Sequence, residues 1–197
     1  FNADGSLKAG LPDQTKVFPA GYQFAPGDVL YKDLDNNGEI VKQTNTNDKG
    51  DLSVIGNALP RLQFGLNLDA AWKGFDISMF FQGVAKRKLW AAGNQVLPGF
   101  TTGEPFYKGA EDYWTPENTD AFYPRPMDYK QSASGNYSVN DRYLLNMAYL
   151  RLKTFTVGYS LPKVWLSKFK VQGLRVYFTG ENLFTIDGVK PAIDPEI

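Results

Sequence analysis

The run Asp33-Leu34-Asp35-Asn36-Asn37-Gly38-Glu39-Ile40 carries the most specific chemical pattern in the chain. Oxygen-bearing side chains at the first, third and fifth positions, glycine at the sixth and an apolar residue at the eighth match the opening half of an EF-hand-like calcium loop. The twelfth position is Thr44, so the bidentate glutamate is missing, and Asp48 or Asp51 would have to fold back to complete the shell. The candidate ligands are therefore Asp33, Asp35, Asn37, Glu39, Asp48 and Asp51, and an all-oxygen, flexible set of this kind favours calcium over magnesium. The same residues also spell an Asn-Gly turn in a solvated loop, and the sequence leaves both readings open.

Trp90, Tyr107, Tyr113, Trp114 and Tyr123 form a second candidate site. Their rings join an apolar face to a polar tip, which suits stacking on sugar rings. That property equally suits packing of a loop on itself or against a partner protein, where Tyr and Trp are enriched, and this second use is the favoured one. Arg125, between Pro124 and Pro126, is placed to hold a carboxylate within the same fold.

No catalytic set accompanies these residues. The chain has no His and no Cys, which removes Ser-His-Asp and Cys-His chemistry, His/Cys zinc sites and disulfides. Asp69 and Asp76 flank the Lys73-Gly74 turn, but glycoside hydrolysis needs two carboxylates at a set separation in an accessible cleft, and nothing marks one. The chain reads as non-enzymatic. Its 21 basic and 21 acidic residues cancel, so no basic excess exists to neutralise phosphates, and nucleic acid is excluded as a partner.

The elements that position these residues are legible from period. Residues 1–62 are dense in turn residues and read as a loop region holding the calcium turn, with short strands at Val29-Leu30-Tyr31 and Val54-Ile55. Residues 63–84 read as a hairpin. Phe64, Leu66, Leu68, Ala70 and Trp72 alternate with polar or small residues, Lys73-Gly74 turns the chain, and Phe75, Ile77, Met79 and Phe81 alternate again, with Phe80 alone breaking the polar face. Residues 85–147 show no sustained period yet contain eleven aromatics, a composition that argues for a structured loop. Residues 148–184 read as two more strands with a short turn, where Pro162 ends the first and Lys163 to Phe169 has room for a helical turn or two. The apolar phase slips between Leu152 and Phe155, so a β-bulge is expected near Lys153-Thr154. Residues 185–197 begin a further loop.

Strands of about ten residues with one apolar face, joined alternately by short and long connections, are the pattern of a transmembrane β-barrel. Four such strands cannot close, because an open edge in lipid leaves backbone groups unpaired. The expected fold class is therefore all-β: a partial transmembrane antiparallel β-barrel in contact with outer-membrane lipid, its short turns periplasmic and its long loops extracellular. No apolar run reaches the ~18–20 residues of a membrane-spanning helix. The chain opens at Phe1 without an initiator Met or a leader, which reads as a processed piece or fragment. The alternative is a soluble, calcium-dependent, glycan-binding β-domain.

Several stretches, in order, resemble the SusC/RagA-type TonB-dependent transporters of the Bacteroidota outer membrane. They are Pro26-Gly27-Asp28-Val29-Leu30-Tyr31-Lys32-Asp33-Leu34-Asp35-Asn36-Asn37-Gly38, Val54-Ile55-Gly56-Asn57, Gly74-Phe75-Asp76-Ile77-Ser78, Trp114-Thr115-Pro116-Glu117-Asn118 and Tyr123-Pro124-Arg125. Tyr149-Leu150-Arg151-Leu152-Lys153, Gly158-Tyr159-Ser160-Leu161-Pro162 and Gly180-Glu181-Asn182-Leu183-Phe184-Thr185 continue the series. Their order and spacing look like the C-terminal barrel portion of such a protein. The resemblance implies a 22-stranded barrel filled by an N-terminal plug, energised through TonB, and capped by a SusD-like surface lipoprotein that captures oligosaccharides or, as second choice, peptides. The plug region, the TonB-contacting segment and a terminal strand ending in an aromatic residue are not in this sequence, so transport is expected of the parent assembly in the outer membrane of a Gram-negative bacterium.

Overall fold

Alternation of apolar and polar residues becomes four long strands. The computed structural model describes residues 2, 7–42, 45, 47–103, 105–128, 132–190 and 193–196; Phe1, Thr44 and Tyr129 lie outside them. β1 (Leu62–Trp72) and β2 (Phe75–Ala85) form the first hairpin. Two-residue strands β3 (Lys88–Leu89) and β4 (Leu145–Asn146) follow at the ends of the long central segment. β5 (Tyr149–Ser160) and β6 (Arg175–Asp187) complete an antiparallel sheet of order β1-β2-β5-β6. The chain divides into a loop unit (Phe1–Gly56, Trp90–Leu145, Lys190–Ala192) and a sheet unit (Asn57–Leu89, Asn146–Val189, Ile193–Ile197). No described helix is long and apolar enough to cross a membrane.

The β1–β2 turn is set by backbone chemistry. Lys73 and Gly74 both have positive φ, 47° and 90°, the requirement of the primed two-residue turn whose twist matches that of the flanking strands. This turn brings Trp72 opposite Phe75 and fixes the register through Leu68↔Met79 to Leu62↔Ala85. One face of the sheet then collects Leu66, Leu68, Met79, Phe81, Val157 and Phe178, and it stays open: Leu66 is 49% and Phe178 64% exposed. Phe64 lies over the bare Cα of Gly83, its cross-strand partner, where any Cβ would strike the ring. Phe80, on the polar face, packs likewise against Gly65, so the aromatic that interrupts the polar pattern fills the space a side chain would otherwise occupy.

The phase slip in β5 is a bulge at Lys153. Phe80 pairs with Thr154 and Phe81 with Leu152, leaving Lys153 as the extra residue, and Leu150, Leu152, Phe155 and Val157 share the apolar face. β6 answers it with an irregularity of its own, Leu152 facing Phe184 and Thr154 facing Glu181, with Asn182 at φ 51°. Phe178 and Gly180 before Asn182 and Phe184 and Ile186 after it all face apolar positions of β5, so β6 keeps one parity across the irregularity, and the strand runs on through Ile186 to Asp187. β5 and β6 are joined by Pro162, a four-residue helix Lys163–Leu166 with Leu166 buried, and a 3-10 turn Ser167–Phe169 stopped by Lys170 at φ 54°.

The loop unit is built differently. Val17, Phe18 and Ile40 make a small core ringed by Tyr22, Phe24 and Tyr31, with the Phe18 and Tyr22 rings 4.5 Å apart. The expected strands at Val29-Leu30-Tyr31 and Val54-Ile55 do not form. The amide of Val29 donates instead to the buried Asn136 side chain at 2.8 Å, and Tyr31 exchanges two bonds of 3.0 Å with the buried Gln14 amide. Two side-chain amides thus take the place of a neighbouring strand, which satisfies the backbone groups without a ladder.

Candidate functional site

Three constellations in the loop unit and one on the sheet carry polar chemistry. The first is the candidate metal turn. Asp33 accepts the amides of Asn36 at 2.6 Å and Gly38 at 2.8 Å, while Asp51 accepts those of Leu34 at 2.7 Å and Val41 at 2.8 Å. These bonds fold residue 51 back on the turn, so that Asp33, Asp35 and Asp51 each offer an oxygen within 4.8 Å of the others. Asp51, not Asp48, is the later acid at the cluster; Asp48 accepts the Gly50 amide at 2.9 Å. Asn37 bonds Asp35 through its amide nitrogen and accepts the Glu39 amide, and the Glu39 carboxylate meets Lys16. Each carboxylate oxygen retains acceptor capacity after one amide bond.

The Gly38 amide, followed by that of Asn36, holds the Asp33 carboxyl below its ordinary value. A carboxyl lowered on folding stabilises the fold above its unfolded value of about 3.9, and the contribution fades as pH falls through the lower folded value. Cleavage within residues 33–51 by an acid-active protease is accordingly expected to rise below about pH 4 in wild type. Asp33→Asn should cleave readily at neutral pH as well.

The second constellation is an ion-pair clamp. The Asp28 side chain is wholly buried and accepts from Arg125 Nε at 2.7 Å and Nη2 at 3.3 Å, from Asn136 Nδ2 at 3.2 Å and from the Ala25 amide at 2.9 Å. Arg125 also donates to the Gln23 carbonyl at 2.9 Å. The arginine between two prolines thus holds a carboxylate 97 residues earlier in the chain.

The third comprises the aromatic residues, which the fold sorts into two cavities. Tyr107, Tyr113 and Tyr123 line one of about 450 Å³ together with Phe106 and Pro124. Trp114 and Tyr123 line another of about 450 Å³, with Asp28–Lys32 and Asn140–Tyr143. Trp90, half-buried, lines neither. Tyr143, not singled out by sequence, lies at the centre of a ring cluster, 5.3 Å from Tyr137, 5.5 Å from Phe122 and 6.1 Å from Tyr123. Burial pushes the phenols of Tyr123 and Tyr143 up to about 12, keeping both neutral.

On the sheet, polar residues pair across strands. Arg175 reaches Asp76 two strands away, Nε to Oδ1 at 3.0 Å, passing over Gly158, where a Cβ would meet the guanidinium at 2.5 Å. Asp76 therefore serves an ion pair and not a carboxylate pair with Asp69. Arg151 binds Thr185 at 2.7 Å and Asp194 at 2.7 Å, and with Lys153 it holds Glu196, which pins residues 194–196 to this face.

Strands of 11 to 13 residues with one open apolar face and one internally paired polar face, returning through short turns at one end, have the build of part of an outer-membrane β-barrel. No protein-family model matches the chain. It is similar to TonB-dependent receptor P3 of Formosa agariphila, 33% identical in an alignment of 177 positions that covers 87% of this chain and 16% of that protein. It is also similar to TonB-dependent receptor SusC of Bacteroides thetaiotaomicron, 26% identical in an alignment of 203 positions that covers 99% of this chain and 19% of that one. Among solved structures, the RagAB peptide importer in its open-open state matches with a TM-score of 0.56 at 22% identity, over 84% of this chain and 18% of that one, a likeness of fold. The chain belongs to the SusC/RagA-type TonB-dependent receptors, as a segment of one. It spans less than a fifth of the length of each of these relatives. They are named as receptors and as an importer, not as enzymes.

Proposed function

We propose that the chain is part of an outer-membrane importer that takes up oligosaccharides, its four long strands crossing the bilayer within a 22-stranded, plugged barrel. The observation that carries this reading is the two-faced sheet. A soluble domain would bury Leu66, Leu68 and Phe178, whereas a lipid-facing stripe leaves them open. The open edges of β1 and β6 then pair with neighbouring barrel strands, since lipid tolerates no unpaired edge. The Lys73-Gly74 and Pro162–Gly173 turns face the periplasm and the loop unit faces the cell exterior, where a SusD-like lipoprotein delivers cargo. TonB supplies energy through the plug, and the membrane is the outer membrane of a Bacteroidota-like bacterium. The names of the relatives support the dependence on TonB, and the fold likeness to an importer supports uptake. Peptides are the second cargo, a reading favoured by the fold likeness to the RagAB peptide importer.

Growth decides the cargo. A strain lacking the full-length gene is expected to lose growth on mixed oligosaccharides while keeping growth on peptides and on monosaccharides. Loss confined to peptides would overturn the oligosaccharide reading, and loss of neither would overturn import.

Calcium belongs to the same proposal, held by Asp33, Asp35 and Asp51, with Asn37 and Glu39 nearby. It would tie the loop turn shut without taking part in transport chemistry. Chelation with EDTA at neutral pH is expected to expose residues 33–51 to protease, and calcium should reverse this. Indifference to both would remove the metal from the account.

A further inference from the structure

We infer that the turn end of the sheet binds anionic phospholipid headgroups in the periplasmic leaflet, an assignment that rests on the membrane-spanning reading above. Two turns make the surface. Lys73 and Gly74 join β1 to β2, and residues 161–174 join β5 to β6. The strand order sets them side by side: the Ser160 amide donates to the Gly74 carbonyl at 2.8 Å, and the Ser160 carbonyl would stand 2.9 Å from any Cβ on Gly74.

Charge is the first argument. The chain as a whole balances 21 basic against 21 acidic residues. These turns do not: residues 70–75 and 159–174 hold Lys73, Lys163, Lys168 and Lys170 and no carboxylate. All four lysines are exposed, and none forms an ion pair with a described residue. Asp76, just past the first turn, is taken by Arg175. At the opposite end of the sheet both signs meet, with Arg87 donating to the Pro195 carbonyl and Arg151 binding Asp194 and Glu196. Like charges gathered without counterions repel one another, and a layer of phosphate headgroups relieves that repulsion. Lys73 and Lys170 also take left-handed φ, 47° and 54°, where glycine is less strained. Backbone geometry therefore did not select lysine at either place.

The second argument is what stands beside the lysines. Trp72, Phe75, Tyr159 and Val176 form the last cross-strand row before the turns, on the face that carries Leu66, Leu68 and Phe178. The Phe75 and Tyr159 rings lie 4.5 Å apart, and the Lys73 ammonium lies 4.8 Å over the Trp72 ring, which draws it toward the lipid-facing side. In the helix Lys163–Leu166, Leu166 is buried while Val164 and Trp165 are 75% and 59% exposed. Aromatic and apolar side chains with basic residues just beyond them supply the two terms of interfacial lipid binding, apolar insertion and attraction to anionic headgroups. A periplasmic protein fits less well, because it would have to cover Trp72 and Phe75, which continue the stripe that meets hydrocarbon.

The test places the photo-crosslinking residue p-benzoylphenylalanine at Val164, and separately at Leu68, in the purified full-length transporter. Each form is reconstituted in vesicles of phosphatidylcholine with a minor share of phosphatidylglycerol, and the captured lipid is identified by mass. At Val164, phosphatidylglycerol is expected about fivefold above its share of the vesicle, the effect of one lysine near a charged surface. The excess should vanish in high salt and in a variant combining Lys73→Gln, Lys163→Gln, Lys168→Gln and Lys170→Gln. The salt arm leaves the turns unaltered, so it decides even where the variant folds poorly. At Leu68, in the middle of the stripe, both lipids should be captured in proportion. Phosphatidylglycerol captured at Val164 only at its share, or in an excess that salt leaves unchanged, would overturn the headgroup surface, while lipid captured at Leu68 would uphold the membrane-spanning reading. Lipid captured at neither position would overturn both. Capture of a periplasmic protein at Val164 in living cells, in place of lipid, would overturn lipid as the occupant.

Discussion

Arg125→Ala is expected to destabilise the loop unit by about 3–5 kcal/mol, the usual effect of removing one partner of a buried ion pair. Asp28 has no exposed side-chain surface, and two of its four hydrogen bonds come from the Arg125 guanidinium. With alanine there, the Asn136 amide and the Ala25 amide remain, and neither supplies a positive charge. Lysine would restore charge but not the two-pronged contact, so Arg125→Lys should fall between. The contrast is Lys16→Ala: the Lys16–Glu39 pair is about half exposed on both sides, and its loss should leave stability almost unchanged because water screens such a pair. Protease cleavage of residues 85–147 in outer-membrane vesicles reads the difference. Equal resistance of Arg125→Ala and wild type would show that the clamp does not hold the loop.

Leu68→Arg carries the second large effect. Leu68 stands opposite Met79, which faces Phe155, at the middle of the apolar stripe. An arginine there meets hydrocarbon in the proposed barrel, at about 2–4 kcal/mol near the midplane. Asn67→Arg, one residue earlier, points to the polar face and should be almost neutral, because strand neighbours face opposite ways. Urea unfolding of the full-length barrel in lipid separates the two. Equal effects would contradict the assignment of faces.

The sheet was largely legible because its period is local. Alternation placed both strands of the first hairpin, Lys73-Gly74 announced its turn, and the change of parity between Leu152 and Phe155 announced the bulge at Lys153. The irregularity at Asn182 hid the end of β6: Phe184 and Ile186 keep the parity of Val176 and Phe178, but the alternation is interrupted between Gly180 and Phe184. The loop unit was less legible because its order comes from side chains far apart in sequence. Nothing around Val29 or Tyr31 reveals that Asn136 and Gln14 will take their amides. The choice of Asp51 over Asp48 depended on which acid reached the amides of Leu34 and Val41. Arg125 was readable because two prolines stiffen its backbone, whereas Tyr143 was one aromatic among eleven until the fold gathered Phe122, Tyr123 and Tyr137 around it.

The central claim, four strands across the outer membrane with the loop unit outside, is tested most directly by site-specific labelling in intact cells. Single cysteines at Glu117, exposed in the loop unit, and at Lys73, in the β1–β2 turn, would be placed in the full-length transporter and treated with a membrane-impermeant thiol reagent. The expected result is labelling at Glu117 with protection at Lys73 until the outer membrane is permeabilised. Equal labelling at both before permeabilisation, with the protein released by salt and not by detergent, would contradict the membrane-spanning account.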